Sequence, residues 1–252
     1  MDDNQGRFFF VHLQKTAGVT LRTRLKDQFG DAAVYPDSSD GWGTVDAAVE
    51  SVASIRHLQE RYRGRKDEIR VVTGHFPLYV ADLLGGGFTT LTVLREPVER
   101  TLSFLRHSRA FTPGDADKSL EEIYADPLRF HALAHNHMVK MFSLTGEASE
   151  RSMPNQVEFT PERLELAKQR LATVDAIGLQ ERFEEFCESL ERRFGWDLGP
   201  SRRINETSHT EVSDEFRARI AEDNAMDIEL YQFACRLYEE RLAEDSAARL
   251  RS

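Results

Sequence analysis

The chain has 252 residues, 40% hydrophobic and 30% charged, which suits one substantial core and excludes a disordered or fibrous chain. Its net charge of −10 is uneven: residues 1–146 hold 18 basic against 19 acidic side chains, and residues 147–252 hold 15 against 24. That acidic second half argues against nucleic acid or another long polyanion as partner, but leaves room for a small anion in a local pocket.

In chain order, "RFFFVHL" (7–13) reads as a strand, and its continuous apolar run suits burial on both faces. Helical spacing resumes at Val19, with a short polar loop between. "IRVVTG" (69–74) and "TTLTVLR" (89–95) repeat the strand pattern, and "VDAIGL" (174–179) is a fourth candidate. Glu96-Pro97 starts a helix in the way proline prefers, and Thr160-Pro161 does the same later. "ERFEEFCESLERRFG" and "DNAMDIELYQFACRLYEERLAE" carry apolar stripes at three- and four-residue spacing, the first stopping at Gly195. Loops are expected at 35–44, 84–89, 111–119 and 199–214. Strands alternating with helices predict an α/β fold: a central parallel sheet flanked by helices, with a helical second half. No repeat or linker divides it, so a single domain over 1–252 is expected.

Cys187 and Cys235 sit in helical patterns and read as free thiols, too few for a disulfide framework or a zinc site. No leader and no membrane-length apolar segment is visible, which makes a cytoplasmic location the expectation. Oligomeric state is not readable.

Two stretches bear chemistry. The first is "FFFVHLQKTAGVTL" (8–21), a strand running through Gln14, Lys15, Thr16, Ala17 and Gly18 into a helix. Such a turn offers backbone N–H groups and a partial positive charge to an anion, with Lys15 and the hydroxyls of Thr16 and Thr20 beside them. It lacks the glycine spacing and Gly-Lys-Ser/Thr ending of a Walker A loop; taken alone, an ordinary βα turn with an exposed lysine explains it equally well. The second is "TVLREPVERTLSFLRH" (92–107). Arg95 at the strand exit offers a planar donor fork to phosphate oxygens, and Ser103 a hydroxyl two turns into the helix. Arg100 and Arg106 are alternatives, although helix arginines are more often solvated or salt-bridged. Two anion sites at strand ends suggest one ligand with two separated acidic groups.

"HLQKTAGVTL" resembles the "PKTGGTS"-type phosphosulfate loop of sulfotransferases, and "LREPVERTLSFLRH" resembles their "LRDPVERxxS" 3'-phosphate motif. "VVTGHFPL" (71–78), "NHMVKMFS" (136–143), "AIGLQERFEEFCESL" (176–190) and "NAMDIELYQFA" (224–234) fit the same family in order. The chain thus resembles bacterial carbohydrate-type sulfotransferases of the "sulfotransferase family 2" kind, over about 8–242. The resemblance implies a P-loop-like (nucleoside-triphosphate-hydrolase-like) sheet and 3'-phosphoadenosine 5'-phosphosulfate (PAPS) as sulfuryl donor, leaving 3'-phosphoadenosine 5'-phosphate (PAP). It assigns Lys15, Thr16, Ala17, Gly18, Val19 and Thr20 to the loop gripping the 5'-phosphosulfate, and Arg95 and Ser103 to the 3'-phosphate. Ala17 and Val19 depart from the family's glycine and Thr/Ser.

In this reading Lys15 stabilises the leaving phosphate and no metal is required, because a sulfuryl group carries less charge than a phosphoryl group. His75 in "TGHFP" matches a catalytic histidine of related uronyl 2-O-sulfotransferases and is the first candidate for general base; a capping or second-shell histidine is the plainer alternative. His135 and His137 are second candidates. His12 reads as structural or near the donor. The spacing of His131, His135 and His137 without acidic partners is weak as a metal site. Asn136, His137 and Lys140 match a stretch bordering donor and acceptor, and Arg203 or Asn205 in "RRINET" a late loop that closes on the nucleotide. The acceptor would be a small molecule or glycan. A P-loop-like nucleotide kinase and a non-catalytic PAPS/PAP-binding protein are the competing readings.

Overall fold

The computed structural model describes residues 6–37, 47–146, 157–200 and 211–249. Strand β1 (Arg7–Val11) lies at the centre of a five-stranded parallel sheet of order β2-β3-β1-β4-β5. The others are β2 (Val34–Tyr35), β3 (Val71–Gly74), β4 (Phe88–Leu94) and β5 (Ala176–Leu179).

Side chains alternate across a strand, and β1 shows why its run is apolar throughout. Phe8 and Phe10 enter one core with Leu21 and Leu25 of helix α1 (Gly18–Phe29). Phe9 and Val11 enter the other with Leu58 and Tyr62 of α2 (Ala47–Arg65). After the short α3 (Val80–Leu83), helix α4 (Pro97–Phe111) packs a third cluster with α5 (Leu120–Tyr124). Next come α6 (Pro127–Arg129), a π-helical segment (Phe130–Ala134) and α7 (His137–Ser143). The second half contributes α8 (Pro161–Ala172), α9 (Phe183–Phe194), α10 (Asp214–Asp223) and α11 (Ala225–Arg249). Among the described residues no helix is long and apolar enough to cross a membrane.

The parallel sheet flanked by helices is the expected architecture. Local signals hold in detail: Thr160 caps α8 by accepting from the Arg163 N–H, and Gly195 ends α9 at φ 68°. Strand β2 falls at the edge of the stretch expected as loop 35–44. It is two residues long, too short for a period to show, and exists through its pairing with Val71 and Val72. The register sets up everything that follows: Val11, the last residue of β1, faces Gly74 on β3 and Thr92 on β4. The segments leaving these three strands therefore emerge side by side at one carboxyl edge.

Candidate active site

The β1–α1 loop is held in an unusual backbone. Lys15 and Ala17 both adopt the left-handed region, at φ 67° and 65°. Each non-glycine residue there carries a cost of about 1–3 kcal/mol, and such residues gather at ligand clamps. The Thr16 hydroxyl donates to the Leu13 carbonyl at 2.9 Å and is buried, so it braces the loop from within. Its expected hydroxyl contact to an anion is replaced by this internal bond. Gly18 admits no larger residue, because a Cβ would stand 1.9 Å from the buried His12 ring. That ring stacks on Phe10 at a 5.4 Å centroid distance.

Helix α1 begins with no side-chain cap and no acid in its first turn. Its first N–H groups thus remain for an outside anion. Helix α4 is the opposite case: the Glu96 carboxylate already accepts from the N–H groups of Val98 (3.2 Å) and Glu99 (2.8 Å). An anion near α4 must rely on side chains. Ala17 holds a φ that glycine adopts without strain. Ala17→Gly is expected to raise stability by about 1 kcal/mol at most, after the greater freedom of glycine in the unfolded chain is deducted. A thermal melt about 2–4 °C higher would check it.

Lys15 and Arg95 come together as the register requires. The Arg95 guanidinium donates to the Lys15 carbonyl at 3.2 Å, and the Thr92 hydroxyl donates to the Val11 carbonyl at 3.1 Å. Burial and then the Arg95 charge lower the Lys15 pKa. Ser103 is half-buried on α4, and Thr20 half-buried on α1; Val19 is exposed.

His75 follows β3 directly, and its Nδ1 lies 2.8 Å from the His12 carbonyl oxygen. A carbonyl only accepts, so Nδ1 carries the proton and Nε2 keeps its lone pair. The two rings, His12 and His75, are 4.5 Å apart between centroids. Surface area and crowding point opposite ways at His75: the residue is exposed, yet protein atoms surround its ring in the concave edge. Its pKa is lowered chiefly by desolvation, against a raising bond to the His12 carbonyl, with the charges of Lys15 and Arg22 adding to the lowering. Arg22 escaped sequence reasoning. It donates to the Pro36 carbonyl at 2.6 Å, and its charge lowers both His12 and His75. The available signal was its place one turn inside the helix that follows the loop.

No family model matches this chain, and no curated protein matches it. A solved sulfotransferase from Alicyclobacillus acidocaldarius is similar at 15% identity and a TM-score of 0.44. The similarity covers 89% of this chain and 96% of that one.

The remaining expected residues form a buried hub behind the edge. Asn136, in the left-handed region at φ 42°, accepts from the Asp227 N–H (3.0 Å) and donates to the Asp223 carbonyl (3.3 Å). Its own N–H donates to the Asn224 side chain at 2.8 Å. Its amide thus clamps α7 to the α10–α11 junction. Lys140 is buried and donates to the carbonyls of His131 and Ala132, while Arg100 donates to those of Leu133 (3.1 Å) and Ala134 (3.0 Å). Two cations thereby satisfy four successive carbonyls of the π-helical segment. The expectation of a solvated or salt-bridged Arg100 is corrected by its complete burial on those carbonyls. Desolvation pulls the Lys140 pKa down to about 8, opposed by Asp227 and reinforced by Arg100.

Asp227 balances the hub from 88 residues away, accepting from the N–H groups of Met138 (3.0 Å) and Val139 (2.8 Å). His137 is buried beside these cations, and burial, then Arg100, Lys140 and His75, hold its pKa well down. Asp227→Asn removes the one carboxylate among the described residues whose charge acts on both cations, and turns an acceptor oxygen into a donor against an N–H. A loss of about 2 kcal/mol is expected, read as a lower denaturant midpoint at unchanged m. Arg203 and Asn205 lie outside the described residues.

Proposed function

We propose that this protein is a sulfotransferase that moves a sulfuryl group from PAPS to an acceptor hydroxyl. What carries the reading is the meeting at one sheet edge of three features: the strained, uncapped Lys15 loop, the Arg95 guanidinium bonded to it, and the His75 imidazole with Nε2 open. The first binds an anion at one end of a ligand, and the second is placed for an anion at another. The third accepts a proton. The fit to PAPS rests on that donor set, cationic side chains plus unengaged helix N–H groups with no acid in the first turn of α1.

PAPS would supply the sulfuryl group and a phosphate as leaving group. The chain supplies the rest. Lys15 and the N–H groups of residues 17–20 stabilise negative charge that grows where the leaving group departs. His75 Nε2 takes the acceptor's hydroxyl proton, and the His12 carbonyl holds the ring in the required tautomer. Arg95 and Ser103 hold the 3'-phosphate, and this is where the donor is told from nucleotides lacking that group. The expected family is the carbohydrate-type "sulfotransferase family 2", with a glycan or other small hydroxyl compound as acceptor.

The direct test is incubation with labelled PAPS and an acceptor panel, with product mapping; no affinity for PAP in calorimetry would sink the reading. Arg95→Ala is expected to weaken PAP by about 10- to 100-fold, the range of a charge-assisted hydrogen bond, and to leave 5'-AMP nearly unchanged. Equal losses for both nucleotides would remove the 3'-phosphate role of Arg95.

A further inference from the structure

A cavity of about 620 Å³ lies where the turn after the π-helical segment meets the α10–α11 junction and the chain entering α8. That volume is in the range of pockets for small ligands. Its walls divide by chemistry. Phe159 packs against His135 at 4.7 Å between centroids and an interplanar angle of 62°, and Met226 extends this apolar side. Glu222 and Asp223 supply the other side.

Among the described residues no lysine or arginine lines the cavity. Glu222 is exposed, and its carboxylate enters no hydrogen bond or ion pair among the described residues. Asp223 gives only Oδ2 to its neighbours, accepting from the Tyr124 hydroxyl at 2.9 Å with Arg219 Nε at 3.9 Å. Burial lowers the His135 pKa, against the raising charge of Asp223. The cavity is therefore an acidic pocket with an aromatic wall. It adjoins the buried hub described above, because Asn136, whose amide joins α7 to the α10–α11 junction, lines it.

We propose that this cavity binds a hydroxyl compound carrying a protonated amine, and that it is the acceptor side of the sulfuryl transfer, a role that rests on the function proposed above. The carboxylates of Glu222 and Asp223 pair with the ammonium group, and Phe159 with His135 covers the apolar face of the compound. A uronic acid or an already sulfated glycan meets two like charges here and is rejected.

The test uses three disaccharides of one shape: β-1,4-linked glucosamine, cellobiose and the corresponding uronic acid. Binding is measured by NMR titration without donor, at a pH where the amine is protonated. The glucosamine disaccharide should bind tightest. Glu222→Gln should weaken it about two- to five-fold and leave cellobiose unchanged. Glu222→Gln with Asp223→Asn should abolish the preference; if the double variant fails to fold, the exposed Glu222→Gln alone decides. Equal affinity for all three, no binding of any, or a cation preference that survives these substitutions overturns the proposal. A labelled-PAPS assay separates the two claims. Amine binding at Glu222 without sulfate transfer upholds the cation site and removes the transferase reading, whereas transfer only to cellobiose or the uronate does the reverse.

Discussion

His75→Gln is expected to lower kcat by about 10²- to 10⁴-fold while leaving PAP affinity within about two-fold, the signature of a lost general base. Glutamine keeps the hydrogen-bonding reach of the side chain but offers no titrating nitrogen. The wild-type profile carries the sign. His75 is lowered from the ordinary histidine value of 6.5, so its neutral form persists to lower pH. The acid limb of kcat/KM is therefore expected below pH 6.5, with activity falling as pH drops through the folded pKa. The same shift bears on stability. A histidine with a lowered folded pKa contributes stability above the unfolded value, and that contribution is lost as pH falls from there toward the folded one. An acid limb that survives in the variant at the same pH would transfer the base role elsewhere, with His137 and His135 next in line.

Lys15→Ala is expected to cost about 10²- to 10³-fold in kcat, the magnitude for removing one preorganised group from developing charge. Donor affinity should fall as well, because the lysine also meets the ground-state anion. A second consequence comes from its neighbours. The Lys15 charge lowers His75, His12 and His107. Its removal should let the His75 pKa rise, moving the acid limb of the residual activity to higher pH. A merely structural lysine would lower activity without moving that limb, so the pH profile of the variant separates the two roles. Full activity in Lys15→Ala would sink the proposed mechanism.

The candidate site was legible in part. Lys15 and Arg95 stood out because each sits where an apolar run stops, and parallel strands put such exits on one edge. The start of α4 followed from Glu-Pro, whereas the Glu96 carboxylate capping the Val98 and Glu99 N–H groups was seen only in the structure. The role of Thr16 was not legible, because whether a hydroxyl faces a ligand or its own loop depends on a backbone turn that composition does not encode. Arg100, Asn136 and Lys140 were read as surface or ligand-facing polar groups. All three are buried: Arg100 and Lys140 on carbonyls of the π-helical segment, and Asn136 on the backbone of the α10–α11 junction about ninety residues later. No local period reports a partner at that distance.

By itself, then, the sequence determined four of the five strands, several of the main helices, the Thr160 cap and the two strand exits that carry cationic side chains. These follow from nearest-neighbour sterics, side-chain periodicity and capping, which act within a few residues. The tertiary structure alone decided the tautomer of His75 through the His12 carbonyl, the closeness of Lys15 to Arg95, the entry of Arg22 into the electrostatics, and the burial of the α7 hub. These depend on register between strands and on desolvation, and both arise only when distant segments exclude water together.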